Sequence, residues 1–332
     1  MDYTLDDLKV FLSENREKSF RAEQIFDWIY RKQDFDPCMM SNLPKTLQDC
    51  LENDFKPFPM RVKDILISRD GCKKALFECS DRILTEAVAL PSDDERTTYC
   101  LSTQVGCPLG CVFCATGAMG FKRNLTAGEI VAEVLLLEKA TTRPTNLVLM
   151  GMGESLLNFN EVDKFIRIIS EPKGYALSER RITLSTAGLI PELLRFHKIH
   201  PKVELAISVN ASNNETRKRS MPHKKLASFT QIMNVVNDFD SNITLEYVLL
   251  GGINDSKDDA IRLAKAIKRR KSVKINLIRY NKSLGGFKIP KEDTVLEFQK
   301  ILRTAGIRCF IRKSMGDDIK AACGQMTAGA LK

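Results

Sequence analysis

The spacing of apolar and polar positions divides the chain into three stretches. Over residues 1–59 the period is helical. Thr4 is followed three positions later by Asp7, a capping-box start, and Leu8, Phe11 and Leu12 then fall on one face. Ala22, Ile25, Phe26 and Ile29 form a second apolar stripe, and Pro44, a residue favoured in a first helical turn, opens a third with Leu47 and Leu51. The stretch closes at Lys56-Pro-Phe-Pro59, which predicts a small helical accessory domain over 1–59. Over 60–95 the period becomes that of strands. Asp70-Gly71 is a tight-turn pair between strands at 64–68 and 74–79, and a third strand follows over 83–90. Glu86 interrupts this strand among Ala87, Val88 and Leu90. The pattern leaves it either on an exposed sheet face or held pointing into a cleft.

Over 96–332 short apolar runs alternate with amphipathic helices. Strands are predicted over 100–105, 146–150, 181–185, 203–209, 243–250 and 273–278, with a seventh at Arg308-Cys-Phe-Ile-Arg312. Helices are predicted over 127–137, 160–169, 190–196, 226–238, 256–268 and 292–304. Six strand-then-helix units make a parallel sheet, because right-handed crossovers return each strand beside its predecessor. Six is short of the eight of a closed barrel. The predicted fold is therefore α/β, an open partial (β/α)6 barrel behind a helical accessory domain and a β-hairpin extension, with its site at the carboxyl ends of the strands.

Those ends carry polar groups. Gly151-Met152-Gly153-Glu154 follows the second strand, a glycine pair that lets backbone approach a ligand and an acid able to accept from an ammonium or from ribose hydroxyls. The third strand ends in Leu184-Ser185-Thr186, the fourth in Ser208-Val209-Asn210, and the sixth is followed by Arg279-Tyr280-Asn281. After the first comes Cys107-Pro-Leu-Gly-Cys111-Val-Phe-Cys114, three thiols in one short loop. A cubane iron–sulfur cluster takes four ligands, usually thiolates, so three leave one iron open to a small molecule. A structural zinc site wants four protein ligands, commonly in two knuckles, and no second knuckle exists. A three-Cys catalytic zinc stays open as the alternative. Near the C-terminus, Gly316-Asp-Asp-Ile-Lys-Ala-Ala-Cys323-Gly324-Gln325 holds a cysteine in an acidic, glycine-flanked turn, displayed rather than buried.

Composition adds a compartment and a class of partner. At 332 residues and 43% hydrophobic, the chain suffices for one large domain, or one large and one small. It shows no basic-then-apolar leader and no apolar run long enough to span a bilayer, so it is expected to be soluble, unexported and cytoplasmic. Ten cysteines in a reducing compartment are metal-binding, catalytic or buried rather than paired. Cys38, Cys50, Cys72, Cys79 and Cys309 are assigned to apolar cores. A net charge of +9 attracts polyanions without naming one. Lys122-Arg123, Arg217-Lys-Arg219, Lys224-Lys225 and Lys268-Arg-Arg-Lys271 are candidate phosphate contacts. The last of these is equally explained as cations ending a helix. His223 is assigned to the surface or to an RNA-facing position, His197 and His200 to structure.

The Cys-x3-Cys-x2-Cys spacing resembles the signature of the radical S-adenosylmethionine (SAM) superfamily. Tyr99-Cys100 to Arg123, Gly151-Met-Gly-Glu154, Leu184-Ser-Thr186 and the Gly316 to Gln325 run together resemble the RlmN/Cfr family of radical SAM RNA methyltransferases, most like its RlmN branch. That resemblance implies a [4Fe-4S] cluster on Cys107, Cys111 and Cys114, and two SAM molecules per turnover. One methylates Cys323, and the other is cleaved to a 5'-deoxyadenosyl radical that takes hydrogen from the S-methyl group. The resulting carbon radical adds to adenine, Glu86 removes the ring proton, and Cys100 attacks the Cys323 sulfur to form a disulfide and free the product. Gly153, Glu154, Ser185, Ser208, Val209, Asn210 and Asn281 are implied to hold SAM. Three departures mark this chain: Ser155 replaces a proline, Asn210 stands where the family usually has His, and Arg279-Tyr280 replaces Pro-Trp, as in the Cfr branch.

The implied substrates are one adenosine of 23S rRNA, methylated at C2, and the adenosine beside the anticodon in tRNA. C8 of the same ribosomal adenosine is the Cfr-like alternative. An external electron donor such as flavodoxin, no membrane and a monomeric chain complete the expectation. On the residues alone two other classes remain. A radical SAM enzyme acting on a small molecule would not need Cys100 and Cys323, and a zinc-dependent RNA-binding module would release no deoxyadenosine.

Overall fold

A computed structural model of the chain describes residues 2–54, 59–268, 271–283 and 286–329. Three helices lead: α1 (Leu5–Glu14), α2 (Arg21–Phe26), which runs on through a π-helical turn at Asp27–Arg31, and α3 (Lys45–Asp54). Thr4 and Asp7 form the expected capping box, each side chain satisfying the other's backbone N–H. The predicted closure at 56–59 lies, up to residue 58, outside the described residues. This helical unit has no separate core. Leu8, Leu12, Phe26 and Tyr30 belong to the same buried cluster as the barrel strands. Asp2 accepts from Gly128 N and Thr126 Oγ1 at the start of the barrel's first long helix, and Arg31 donates to Pro172 O.

Strands β1 (Met60–Ile67), β2 (Lys73–Cys79), β3 (Leu84–Pro91) and β4 (Thr97–Cys100) pair antiparallel in order. β4 then pairs parallel with β7 (Asn146–Leu149), and the parallel run continues through β8 (Ile182–Thr186), β9 (Glu204–Ser208), β10 (Ile243–Leu249), β11 (Val273–Arg279) and β12 (Arg308–Arg312). The hairpin extension and the partial barrel are thus one ten-stranded sheet. The crossover helices are α5 (Ala127–Ala140), α6 (Phe159–Ser170), α7 (Ile190–Ile199), α9 (Phe229–Asp238), α10 (Lys257–Ala266) and α11 (Glu292–Thr304). Capping boxes start α5, α9 and α10, with Thr126, Ser228 and Ser256 at the N-caps. Among the described residues no helix is long and apolar enough to cross a membrane.

One predicted element breaks in two. The strand expected over 100–105 leaves the barrel sheet at Cys100; its second half, β5 (Gln104–Gly106), pairs instead with β6 (Phe121–Asn124) in a separate hairpin. A buried carboxyl drives the break. Glu133, in the apolar middle of α5, accepts from Ser102 N at 2.9 Å and Thr85 Oγ1 at 3.0 Å, so the chain turns to serve it. Burial pushes the Glu133 carboxyl well above its ordinary pKa. Two short helices, α4 (Ala115–Ala118) and α8 (Asn214–Ser220), carry no apolar period and are not predicted by it.

Candidate active site

The β5–β6 hairpin is the stalk of the three-thiol loop. Gly106 has φ +74°, and a side chain there would collide with the Gly120 carbonyl oxygen at 1.8 Å, so only glycine closes the base. Cys107 N donates to Gly120 O at 3.0 Å and Cys114 N to Cys111 O at 3.0 Å, which folds the three cysteines into one compact turn. Burial pushes the Cys107 thiol up to about 12; burial and then the charges of Cys114 and Cys107 raise Cys111, with the Arg217 charge opposing. Thiols so crowded and buried would ionise only on a cationic centre that offsets the cost. Among the described residues no three His, Cys, Asp or Glu side chains converge on one ion. A cubane does not require convergence, because each thiolate binds a different iron. The donor set therefore fits an iron–sulfur cluster with one open corner.

Glu154 lies 4% exposed at the end of β7. Its carboxylate accepts from Ala187 N at 2.7 Å, and burial raises its pKa to about 7. The glycines before it are hemmed in by the protein itself. A Cβ on Gly151 would lie 2.6 Å from Leu101 O, and one on Gly153 would lie 2.6 Å from Gln104 Cβ. Both glycines thereby allow close approach to the broken strand. Ser155 is buried and its hydroxyl donates to Leu149 O at 3.4 Å. Ser185 and Ser208 are half-buried on β8 and β9. Val209 is fully buried and spends its N–H on Glu246 O. Asn210 sits at φ +49°, a region asparagine tolerates, with its Oδ1 accepting from Val248 N at 2.8 Å and its Nδ2 on Met221 Sδ. Its amide is thus engaged by the protein at both ends.

The basic run at 217–219 predicts a phosphate contact at Arg217, and the structure overturns this. Arg217 is 2% exposed. Its guanidinium donates to Ala227 O, Ser208 O, Val209 O and Ala187 O, tying the ends of β8 and β9 together. Burial draws its pKa down to about 10, against the charges of Cys111 and Glu154, so it stays charged at neutral pH. Arg217→Ala is expected to destabilise the fold by about 3–5 kcal/mol, since buried carbonyls lose their donor. Urea unfolding measures this, and a loss below about 1 kcal/mol would contradict it. Arg123 is likewise committed, bidentate on Glu129 at 2.7 and 2.8 Å and bonded to Asp81 at 2.6 Å. Lys122, Lys218, Arg219, Lys224, Lys225, Lys268 and Lys271 are exposed, while Arg269 and Arg270 lie outside the described residues. His200 bridges Asp163 and Glu179 at 2.8 and 2.9 Å, and His197 stacks on Phe239.

The C-terminal segment is laid across the thiol loop. Gly324 O accepts from Ala115 N at 2.7 Å and Met326 O from Thr116 Oγ1 at 2.7 Å, both donors lying just past Cys114. Asn281 Nδ2 donates to Cys323 O at 3.1 Å. On the other side the β1–β2 turn grips the segment: Asp70 accepts from Gly316 N, and Asp318 from Ser68 Oγ and Arg69 N. Cys323 is exposed, Cys100 buried. Cys100 shares an apolar cluster with Ala321 and Met326, and after burial the charge of Cys323 is the largest influence raising its pKa. Glu86 is 2% exposed, with Oε2 accepting from Thr327 N at 3.1 Å and Oε1 3.2 Å from Lys74 Nζ. Of the two positions left open for Glu86, it takes the inward one. Three residues of this region are not identified by the sequence pattern: Lys74, whose Nζ also holds Lys320 O, Ser102, whose hydroxyl donates to Glu86 O, and Arg217 in its inward role. A lysine at an apolar strand position is the one signal for the first.

The sequence matches the Radical SAM superfamily over residues 101–264 and the ribosomal RNA large subunit methyltransferase N-terminal domain over residues 1–56. It is 40% identical to a dual-specificity RNA methyltransferase RlmN from Campylobacter hominis, covering 100% of this chain and 97% of that one. It is 42% identical to the protein of the same name from Lawsonia intracellularis, over 94% and 91%. The crystal structure of a radical SAM methyltransferase from Sphaerobacter thermophilus superposes with a TM-score of 0.90 at 38% identity, covering 98% of each chain.

Proposed function

Because the chain belongs to the RlmN family of radical SAM RNA methyltransferases, we propose that it methylates C2 of an adenosine in 23S rRNA, and of the adenosine beside the anticodon in tRNA, through a methylated Cys323. Membership makes it an RNA-methylating enzyme that uses SAM and a [4Fe-4S] cluster. The observation that carries the finer reading is the seat of Cys323. Its turn is hydrogen-bonded onto the thiol loop, beside Cys100 and Glu86.

Adenine C2 is an electron-poor sp2 carbon that does not attack a methyl sulfonium as an amine would, so a polar transfer fails there. Cys107, Cys111 and Cys114 would hold the cluster, and with SAM, two per turnover, it supplies the radical that activates the methyl group. Gly153, Glu154, Ser185, Ser208, Val209, Asn210 and Asn281 are the residues proposed to line SAM. Cys323 carries the methyl carbon to the base. Glu86, held against Lys74 and Thr327, removes the ring proton as a general base. Cys100 attacks the Cys323 sulfur: the disulfide forms as the sulfur–carbon bond breaks, and the electron pair left on the carbon takes up a proton, completing the methyl group on RNA. The division into a helical domain over 1–59, a β extension over 60–95 and a barrel over 96–332, a flavodoxin-type donor, a monomeric chain and a cytoplasmic site of action belong to the same proposal.

The test is anaerobic reconstitution with SAM and a reductant on unmodified ribosomal RNA and tRNA, followed by mass spectrometry of the nucleosides. 2-Methyladenosine is expected in both; 8-methyladenosine alone would transfer the chain to the Cfr-like reaction, and neither would refute the reading.

A further inference from the structure

A cavity of about 340 Å³ opens where the carboxyl ends of β11 and β12 meet the first turn of α11. Arg279, Arg312, Lys313 and Ser314 line it, with Glu292 as its one acid. Three cations against one carboxylate leave a surplus of positive charge. The carboxylate is a weak counterion: Glu292 Oε2 stands 3.6 Å from Arg279 Nη2, and its side chain is 75% exposed. Among the described residues, Arg312 and Lys313 have no carboxylate within ion-pair distance, though the Arg312 charge acts on Glu246 and that of Lys313 on Asp70. Arg279 Nε is buried without a hydrogen-bond partner, a condition that native structures rarely leave unexplained. A cavity walled by three cationic side chains, with one solvent-exposed carboxylate against them, suits an oxyanion.

The location says which oxyanion. Ser314 Oγ donates to Asn281 Oδ1 at 2.6 Å, and Asn281 Nδ2 donates to Cys323 O at 3.1 Å. The cavity wall and the Cys323 turn are thus joined by two consecutive hydrogen bonds. A nucleic acid whose base reached the Cys323 sulfur would bring its sugar–phosphate chain close to a wall two hydrogen bonds away. We propose that the cavity is a phosphate subsite, taking a phosphodiester of the substrate RNA beside the target adenosine on Arg279, Arg312, Lys313 and Ser314. The proposal rests on the RNA-methyltransferase reading, and its experiment separates the two.

The full-length chain, reconstituted with its cluster, is titrated with a fluorescent 23S rRNA hairpin transcript at several salt concentrations. The variants are Arg279→Met and the double Arg312→Ala/Lys313→Ala. Arg312 and Lys313 are exposed, so the double variant is expected to melt at the wild-type temperature. Each variant is expected to weaken binding by roughly 3- to 30-fold, and to flatten the slope of log K against log salt by about 0.7–0.9 for every phosphate that is no longer neutralised. The weakening is expected to be equal for a hairpin with uridine at the target position, since phosphate contacts carry no sequence information. Wild-type affinity and slope in both variants would overturn the subsite while leaving the RNA reading intact. A wild type that binds inorganic phosphate in the cavity, with RNA affinity unchanged in the variants, would make it a small-anion site and overturn the RNA assignment. A wild type that binds no RNA at any salt would overturn both.

Discussion

Cys323→Ala is expected to put no methyl group on RNA, a loss on the order of 10³-fold or more, as for removal of the one group that makes the covalent bond. The substitution removes a sulfur and little else. Cys323 is exposed, and the bonds that seat its turn run through backbone atoms: its own carbonyl to Asn281, the Gly324 carbonyl to Ala115 and the Met326 carbonyl to Thr116. The alanine variant should therefore fold, load its cluster and bind RNA at wild-type affinity. Transfer of label from methyl-tritiated SAM into RNA measures the effect. Methylation at more than about 1% of the wild-type rate would show that the methyl reaches RNA by another route.

Cys100→Ala is expected to fail differently, stalling after the bond to RNA has formed. With the attacking thiol gone, the Cys323 sulfur stays joined to the base, and the protein should accumulate as a covalent RNA adduct. Denaturing electrophoresis after one turnover would show a band that ribonuclease trims and that Cys100→Ala/Cys323→Ala lacks. Free protein only, with methylated RNA released, would remove Cys100 from the mechanism. Burial, and next the charge of Cys323, hold the Cys100 thiol well above its ordinary pKa, so little of it is thiolate at neutral pH. Because it packs among Val88, Met152 and Met326, alanine costs it little volume, and the effect should be kinetic rather than structural.

The alternation of strand and helix is legible in the sequence because β7 to β11 are short apolar runs, half to fully buried, separated by amphipathic helices, two periods that do not mimic each other. The thiol loop and the Cys323 turn are legible as short-range patterns. The break at Leu101 is not: an apolar run reads as one strand whether or not a buried acid on a distant helix bends it, and Glu133 lies 31 positions from Ser102. Arg217 misleads for the opposite reason. Its neighbours Lys218 and Arg219 are exposed, and a three-residue basic run on a short helix does not reveal that one member turns inward to four carbonyls. The glycines at 151 and 153 are identifiable as points of close approach, but what approaches them comes from the break that the pattern hides.

The bond from Asp318 to Ser68 spans 250 positions, and that from Thr327 to Glu86 spans 241. Contacts so distant along the chain form late, because the entropy of closing the intervening loop must first be overcome. The thiol loop, by contrast, is closed by the local pairing of Gln104 with Asn124. During synthesis the three thiols are therefore in place while the chain that will cover them is still unmade. Iron and sulfide can enter an open bowl, and the Cys323 turn arrives as its lid.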